Sequence, residues 1–184
     1  MSTSARSLID ESAMGWRLWL IVAITVCLNA LDGFDVLSIS FASPGIAKEW
    51  GLNPGVLGWV LSMELIGMAV GSVLLGGVAD KIGRRPTILL CLVAMAVGMW
   101  FASHATGLNL LLAWRLLTGV GMGGMLAAIN AVAAEFSNLK WRNLAMSLMV
   151  IGYPIGGFLG GTSVQFILAD GTWRDVFSFG AAAT

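Results

Sequence analysis

Five stretches of this chain run for about 20 residues each with hardly a charge in them, the length that crosses a bilayer as a helix. They cover 16–41, 56–79, 87–103, 108–134 and 144–168, and a sixth begins at 176–184. Soluble cores are built from shorter apolar runs. Only 11% of the 184 residues are charged, against roughly 25% in a typical soluble domain. That leaves too little polar surface to cover a water-soluble globule. The expected fold class is therefore an all-α membrane protein, with a polar tail over 1–15 and a transmembrane bundle over 16–184. The sequence stops about eight residues into the sixth run, which reads as a cut inside a span, since a chain ending there would leave carbonyls unsatisfied in hydrocarbon.

The tail carries Arg6, Asp10 and Glu11 and has no short apolar stretch followed by a small-residue cleavage site, so no cleavable signal is expected. Loops then alternate between two faces. One set holds Arg6, Arg17, Lys81, Arg84, Arg85, Lys140 and Arg142, and the other holds Lys48 and Arg174. This bias places the N-terminus in the cytoplasm. All eight tryptophans fall near expected span ends, as interfacial aromatic belts require. Formal net charge is zero, so nothing points to nucleic acid. Cys27 and Cys91 sit in apolar runs and read as small core residues, His104 as an interfacial residue. No spacing suggests a metal or cofactor.

Four ionisable residues lie deep in the spans: Asp32 and Asp35 in the first, Glu64 in the second and Arg115 in the fourth. Each is costly there and marks function by default. At about 1.5 Å per residue all four fall about 9–13 Å below one membrane surface, so Arg115 can pair with one of the carboxylates. Three carboxylates against one arginine leave two negative charges in surplus, and at least one carboxyl is expected to hold a proton in some states. A purely structural ion pair fixing helix register is the plainer alternative. Thr25, Asn29, Asp32, Asp35 and Ser38 form one polar stripe at helical spacing, which a cavity-lining helix would carry and a lipid-facing one would not. Gly33, between the aspartates, would permit local bending, and Pro154 is expected to kink the fifth span. Glycines four apart, at Gly67/Gly71, Gly119/Gly123 and Gly152/Gly156/Gly160, suit close helix contact.

After the second run the chain reads Gly76-Gly77-Val78-Ala79-Asp80-Lys81-Ile82-Gly83-Arg84-Arg85. This resembles the G-x-x-x-D-[RK]-x-G-R-[RK] motif of the major facilitator superfamily at every fixed position. Arg115-Leu116-Leu117-Thr118-Gly119-Val120-Gly121-Met122-Gly123-Gly124 resembles that superfamily's R-x-x-x-G-x-G-x-G-G pattern. The fifth run lacks the longer glycine–proline pattern of drug antiporters, which disfavours efflux. Leu31-Asp32-Gly33-Phe34-Asp35 resembles the D-G-x-D motif of the aromatic acid:proton symporters.

The resemblance implies the N-terminal six-helix bundle of a transporter built from inverted three-helix repeats. It implies proton-coupled import of a benzoate-like or hydroxybenzoate-like acid across a bacterial inner membrane, with the C-terminal half of the same transporter as partner. Asp32, Asp35 and Glu64 would couple the proton, and Arg115, Asn29 and Asp32 would bind substrate, or Arg115 would hold the aspartates in place. Gly76, Asp80, Gly83, Arg84, Arg85, Glu135 and Arg142 would form a cytoplasmic gate, with Asp80 capping a neighbouring helix and Arg84 meeting Glu135. The rivals are a symporter of another organic acid or metabolite and a non-transporting receptor or scaffold. An enzyme is disfavoured, because no nucleophile–base pair, metal cluster or phosphate loop is present.

Overall fold

The computed structural model describes residues 13–184; Arg6, Asp10 and Glu11 lie outside the described residues. Six helices follow in order: α1 (Trp16–Trp50), α2 (Pro54–Ile82), α3 (Arg84–Ser103), α4 (Leu108–Glu135), α5 (Arg142–Asp170) and α6 (Trp173–Ala183). The first five are long and apolar enough to cross a membrane.

The helices overrun the apolar runs at several ends. α1 continues nine residues past Phe41, straight through Pro44. A proline cannot donate to the carbonyl four residues back, but the Ser43 hydroxyl donates to that carbonyl, of Ser40, at 2.9 Å. α1 then ends on Gly51, whose φ of 61° suits a residue without Cβ. α2 and α3 are divided only by Gly83, at φ 98°. The glycine of the cytoplasmic motif is thus required by backbone conformation. α1 is continuous at Gly33, and α5 at Pro154.

α2 packs along α4 and α1 along α5, while α3 lies against α4 and α6, and α6 also touches α1. Exchanging the first three helices with the last three maps these pairings onto one another, the pattern an inverted repeat requires. Both long seams are built on glycine. A Cβ at Gly71 or Gly123 would collide with the carbonyls of Val120 and Met68 across the α2–α4 seam. A Cβ at Gly33 or Gly156 would collide with the carbonyls of Tyr153 and Ala30 across the α1–α5 seam. Gly33 therefore serves close approach rather than bending. With lipid as apolar as any side chain, backbone proximity of this kind holds membrane helices together.

The apolar core falls into two clusters. One gathers Phe34, Ile39, Ile46, Met99, Leu111, Trp173 and Phe177 toward the end that carries Glu49. The other gathers Cys91, Met95, Met122, Met125, Ile129 and Met149 toward the opposite end. Glu64 and Arg115 fall between the residues that α2 and α4 give to these clusters, so a charged layer divides the core.

One small side chain and one aromatic depart from expectation. Cys91 is fully buried, but Cys27 is exposed, since an apolar run in a bilayer does not tell a core face from a lipid face. Trp173 is buried instead of facing an interface. It stacks edge-on against Trp50 with ring centroids 5.5 Å apart and donates from Nε1 to Glu49 at 2.7 Å. Arg174 donates both terminal nitrogens to the same carboxylate, at 2.6 and 2.7 Å, tying the start of α6 to the end of α1.

Candidate functional site

The polar stripe of α1 faces inward along its whole length. Thr25, Asn29, Asp32, Asp35 and Ser38 are all buried. Thr25 and Ser38 return their hydroxyls to the Val22 and Asp35 carbonyls one turn back. Asn29 donates from Nδ2 to the Met149 carbonyl of α5 at 2.7 Å. Because that contact takes the amide nitrogen, Oδ1 is the free end, and it is buried without a hydrogen-bond partner among the described residues.

Arg115 has no exposed surface at all. Its guanidinium pairs with the Glu64 carboxylate of α2. The same Nη2 reaches the Asp35 backbone carbonyl at 3.3 Å. Nη1 lies 4.0 Å from the Met99 sulfur, and the Phe177 ring centroid is 5.4 Å from Cζ. Arg115 therefore touches α1, α2, α3 and α6 from its place on α4. Among three carboxylates at one depth, the glycine seam selects the partner. Gly119, one turn beyond Arg115, presses on the Glu64 backbone so closely that a Cβ there would collide with its carbonyl.

The two aspartates are left outside that pairing. Both carboxylate oxygens of Asp32 and both of Asp35 are buried and accept no hydrogen bond among the described residues. A buried polar group without a partner costs free energy, and a buried charge costs far more. Binding a proton removes that charge and makes the group a donor, so unpaired carboxyls are suited to exchange protons.

At the far end of the bundle, Arg84 bridges two carboxylates. Nη1 lies 2.8 Å from Asp80 Oδ1 and Nη2 3.1 Å from Glu135 Oε1, linking the α2–α3 turn to the end of α4. Asp80 spends its charge on this arginine, one turn away on the next helix. All three side chains keep contact with solvent, so the cluster is weakly held. Arg142 donates to the Ser137 carbonyl at 3.3 Å, and Arg85 is exposed. A Cβ on Gly76 would meet Ala127 at an ordinary 3.6 Å, so this motif glycine is not forced by packing within the chain.

Sequence reasoning missed a groove between α1, α4 and α5. It encloses about 350 Å³ and is lined by Asn29, Asn130, Met149, Val150, Tyr153 and Pro154 among others. The available signal was thin: Tyr153 is the chain's single tyrosine and sits beside a mid-helix proline. A second open groove of about 360 Å³ between α1, α5 and α6 is almost wholly apolar and holds none of the charged residues.

The family model of the Major Facilitator Superfamily matches residues 19–184. The chain is 28% identical over 182 residues to the 4-hydroxybenzoate transporter PcaK of Acinetobacter baylyi, covering 99% of this chain and 40% of that protein. It is 28% identical to the gallate transporter of Pseudomonas putida, covering 94% and 38%. To the 3-(3-hydroxy-phenyl)propionate transporter of Escherichia coli it is 30% identical, covering 92% and 42%. The chain thus spans about two-fifths of the length of these relatives. Among solved structures it resembles the proton:xylose symporter XylE with a TM-score of 0.82 at 18% identity, covering 90% of this chain and 42% of that one.

Proposed function

The chain belongs to the Major Facilitator Superfamily, and from that premise we propose that it is the N-terminal half of a proton-coupled importer of a small aromatic carboxylate, of benzoate or hydroxybenzoate type. The N-terminus faces the cytoplasm of a bacterial cell, and the Arg84 cluster lies on that side. The observation that carries the coupling is the pair Asp32 and Asp35: buried, unpaired and on one face of α1, while the lone intramembrane arginine is taken by Glu64. Relatives that carry 4-hydroxybenzoate, gallate and a hydroxyphenylpropionate support the substrate class.

In this reading Asp32 and Asp35 exchange the proton, and Glu64 is held by Arg115 as part of the scaffold beneath them. With no accessible surface, Arg115 positions Glu64 and the Asp35 backbone and does not meet the substrate carboxylate directly. Asp80, Arg84 and Glu135 form a solvent-accessible cluster on the cytoplasmic side that can break and reform as the gate moves, with Gly76, Gly83, Arg85 and Arg142 around it. The test is uptake of labelled benzoate-type acids by the full-length transporter in sealed vesicles, with and without a proton gradient. Wild type accumulates the acid only when a gradient is imposed. Asp32→Asn and Asp35→Asn abolish that accumulation while retaining membrane insertion, and gradient-driven uptake unchanged in both variants removes the coupling assignment.

A further inference from the structure

The Arg84 cluster has a counterpart at the opposite end of the bundle. Exchanging the two repeats carries the start of α3 onto the start of α6, and the end of α4 onto the end of α1. Arg84 opens α3 and bonds Glu135, the last residue of α4. Arg174 lies in the first turn of α6 and bonds Glu49 in the last turn of α1. Asp80 precedes Arg84 by four residues, and Asp170 precedes Arg174 by four. An inverted repeat turns one unit upside down relative to the other, so one arginine–glutamate arrangement is built at each membrane surface.

The two clusters differ in how tightly they are held. Arg84 spends one nitrogen on each of two carboxylates, at 2.8 and 3.1 Å. Arg174 sets both terminal nitrogens on Glu49, at 2.6 and 2.7 Å, and Nη2 also reaches the Ala105 carbonyl at 3.4 Å. Its Cζ stands 4.2 Å from the Trp173 ring centroid, and the indole of Trp173 donates to the same carboxylate at 2.7 Å. Bidentate charge-assisted bonds are the stronger kind. Trp173 is buried and packs on Gly45, where a Cβ would lie 3.1 Å from Trp173 Cβ. The cluster therefore joins three chain ends into one rim: α1 beyond Pro44, the α3–α4 turn and the start of α6. The end of α1 gains most from it, since Pro44 removes one of the backbone bonds joining that end to the rest of the helix.

We infer that Glu49, Trp173 and Arg174 form an outer gate rim, which holds these helix ends in the shape onto which the other half of the transporter closes the outer face. This rests on the transporter reading and adds a second gate to it. Two halves close a face only where their rims are complementary. Helix ends already held in place lower the cost of closure, and loose ends raise it. Loss of the outer cluster therefore favours the state open to the outside, and loss of the Arg84 cluster favours the state open to the cytoplasm. The opposite signs follow from the inversion that relates the two clusters.

The experiment uses the full-length transporter with Cys27 and Cys91 replaced by alanine and spin labels placed in pairs. One pair joins Gly58→Cys, where nothing lies within 4 Å of a Cβ, to an outer loop of the C-terminal half. The other joins Lys140→Cys, exposed at the opposite end, to an inner loop of that half. Double electron–electron resonance reads both separations without substrate. Arg174→Gln is expected to lengthen the outer separation and shorten the inner one, and Arg84→Gln to do the reverse. In right-side-out vesicles the KM for external acid falls about threefold or more in Arg174→Gln and rises in Arg84→Gln, because apparent affinity follows the outward-facing fraction. Exchanging the charges, Glu49→Arg with Arg174→Glu, restores the wild-type separations. Trp173→Phe keeps a ring and removes one donor, so it gives a smaller shift of the same sign, and it decides alone if Arg174→Gln fails to insert. Shifts of one sign for both clusters overturn the inference, as do separations that neither Arg174→Gln nor Trp173→Phe moves. Opposed shifts in a protein that takes up no aromatic acid keep the gate and remove the substrate reading alone.

Discussion

The α2–α4 seam and the α1–α5 seam are built alike and charged differently. Each is a long contact in which glycines on one helix meet backbone carbonyls on the other. Each joins one helix of the first three-helix repeat to one of the second, and exchanging the repeats turns one seam into the other. Yet the first seam closes its charges into a pair, Glu64 with Arg115, and the second leaves the Asp32 and Asp35 carboxylates without hydrogen-bond partners among the described residues. Packing follows the repeat, whereas electrostatics breaks it. A scaffold needs its buried charges satisfied, and a proton-exchanging site needs some that are not. On the proposed function, the asymmetry assigns the four intramembrane charges two roles that their depth in sequence did not separate.

The largest expected effect comes from breaking the paired side. Arg115→Leu leaves Glu64 buried without its cation, and the variant is expected to lose about 3–5 kcal/mol of stability. Thermal unfolding of the purified protein in detergent reads this as a fall in Tm. The double variant Glu64→Leu/Arg115→Leu recovers most of the loss, because replacing a buried pair with apolar groups is often neutral. Asp32→Asn on the other seam removes a charge that has no partner, so its Tm holds or rises. Equal losses for Arg115→Leu and Asp32→Asn would erase the distinction between the seams.

Next come the glycines, which test the half of the comparison where the seams agree. Gly123→Ala and Gly156→Ala place a Cβ against the Met68 and Ala30 backbones. Each is expected to cost about 1–3 kcal/mol as the helices are pushed apart. Gly77→Ala is the control, since nothing lies within 4 Å of a Cβ there, and it gains up to about 1 kcal/mol in helix propensity. A large loss in one seam and none in the other would mean that the repeat is not mechanically symmetric.

Much of the fold was open to sequence reasoning, and the reasons for the remainder are physical. Spans emerge from charge depletion alone, and period-three spacing identifies the inward stripe of α1. Arg84 and Glu135, placed together by the resemblance, do lie 3.1 Å apart. Arg115's choice among three carboxylates was not legible, because depth is a one-dimensional coordinate and the choice depends on which faces meet. That is set by Gly119 against Glu64, a contact between residues 55 positions apart in the chain. The run of α1 through Pro44 escaped because a serine one residue earlier supplies the missing donor. Tyr153 and Asn130 escaped for a related reason: neither is costly in an interfacial or half-buried place, so neither stands out until the groove assembles them.

The smallest effect concerns α6, which packs on α3 and α1 and reaches the paired seam through Phe177. Phe177 stands over Arg115 with its ring centroid 5.4 Å from Cζ, and Phe179 meets Phe34 of α1 edge-on at 5.7 Å. The helix is started by a capping box: Asp175 accepts from the Thr172 backbone N–H at 2.6 Å and from its hydroxyl at 2.9 Å. These bonds, the backbone one foremost, hold the Asp175 carboxyl below its ordinary value of 3.8. A folded-state value depressed in this way stabilises the fold fully above the unfolded value, and the contribution is lost as pH falls below 3.8 through the folded value. Thr172→Ala is therefore expected to cost about 1 kcal/mol at neutral pH, read as a small drop in Tm. The same measurement on Asp175→Asn at neutral pH and well below pH 3.8 should show its deficit relative to wild type shrinking toward zero in acid. If loosening α6 lowers Tm by the same amount in an Arg115→Leu background, then Phe177 contributes packing alone. If the cost of the cap substitution falls when Arg115 is absent, the ring over the guanidinium is part of what satisfies the paired seam.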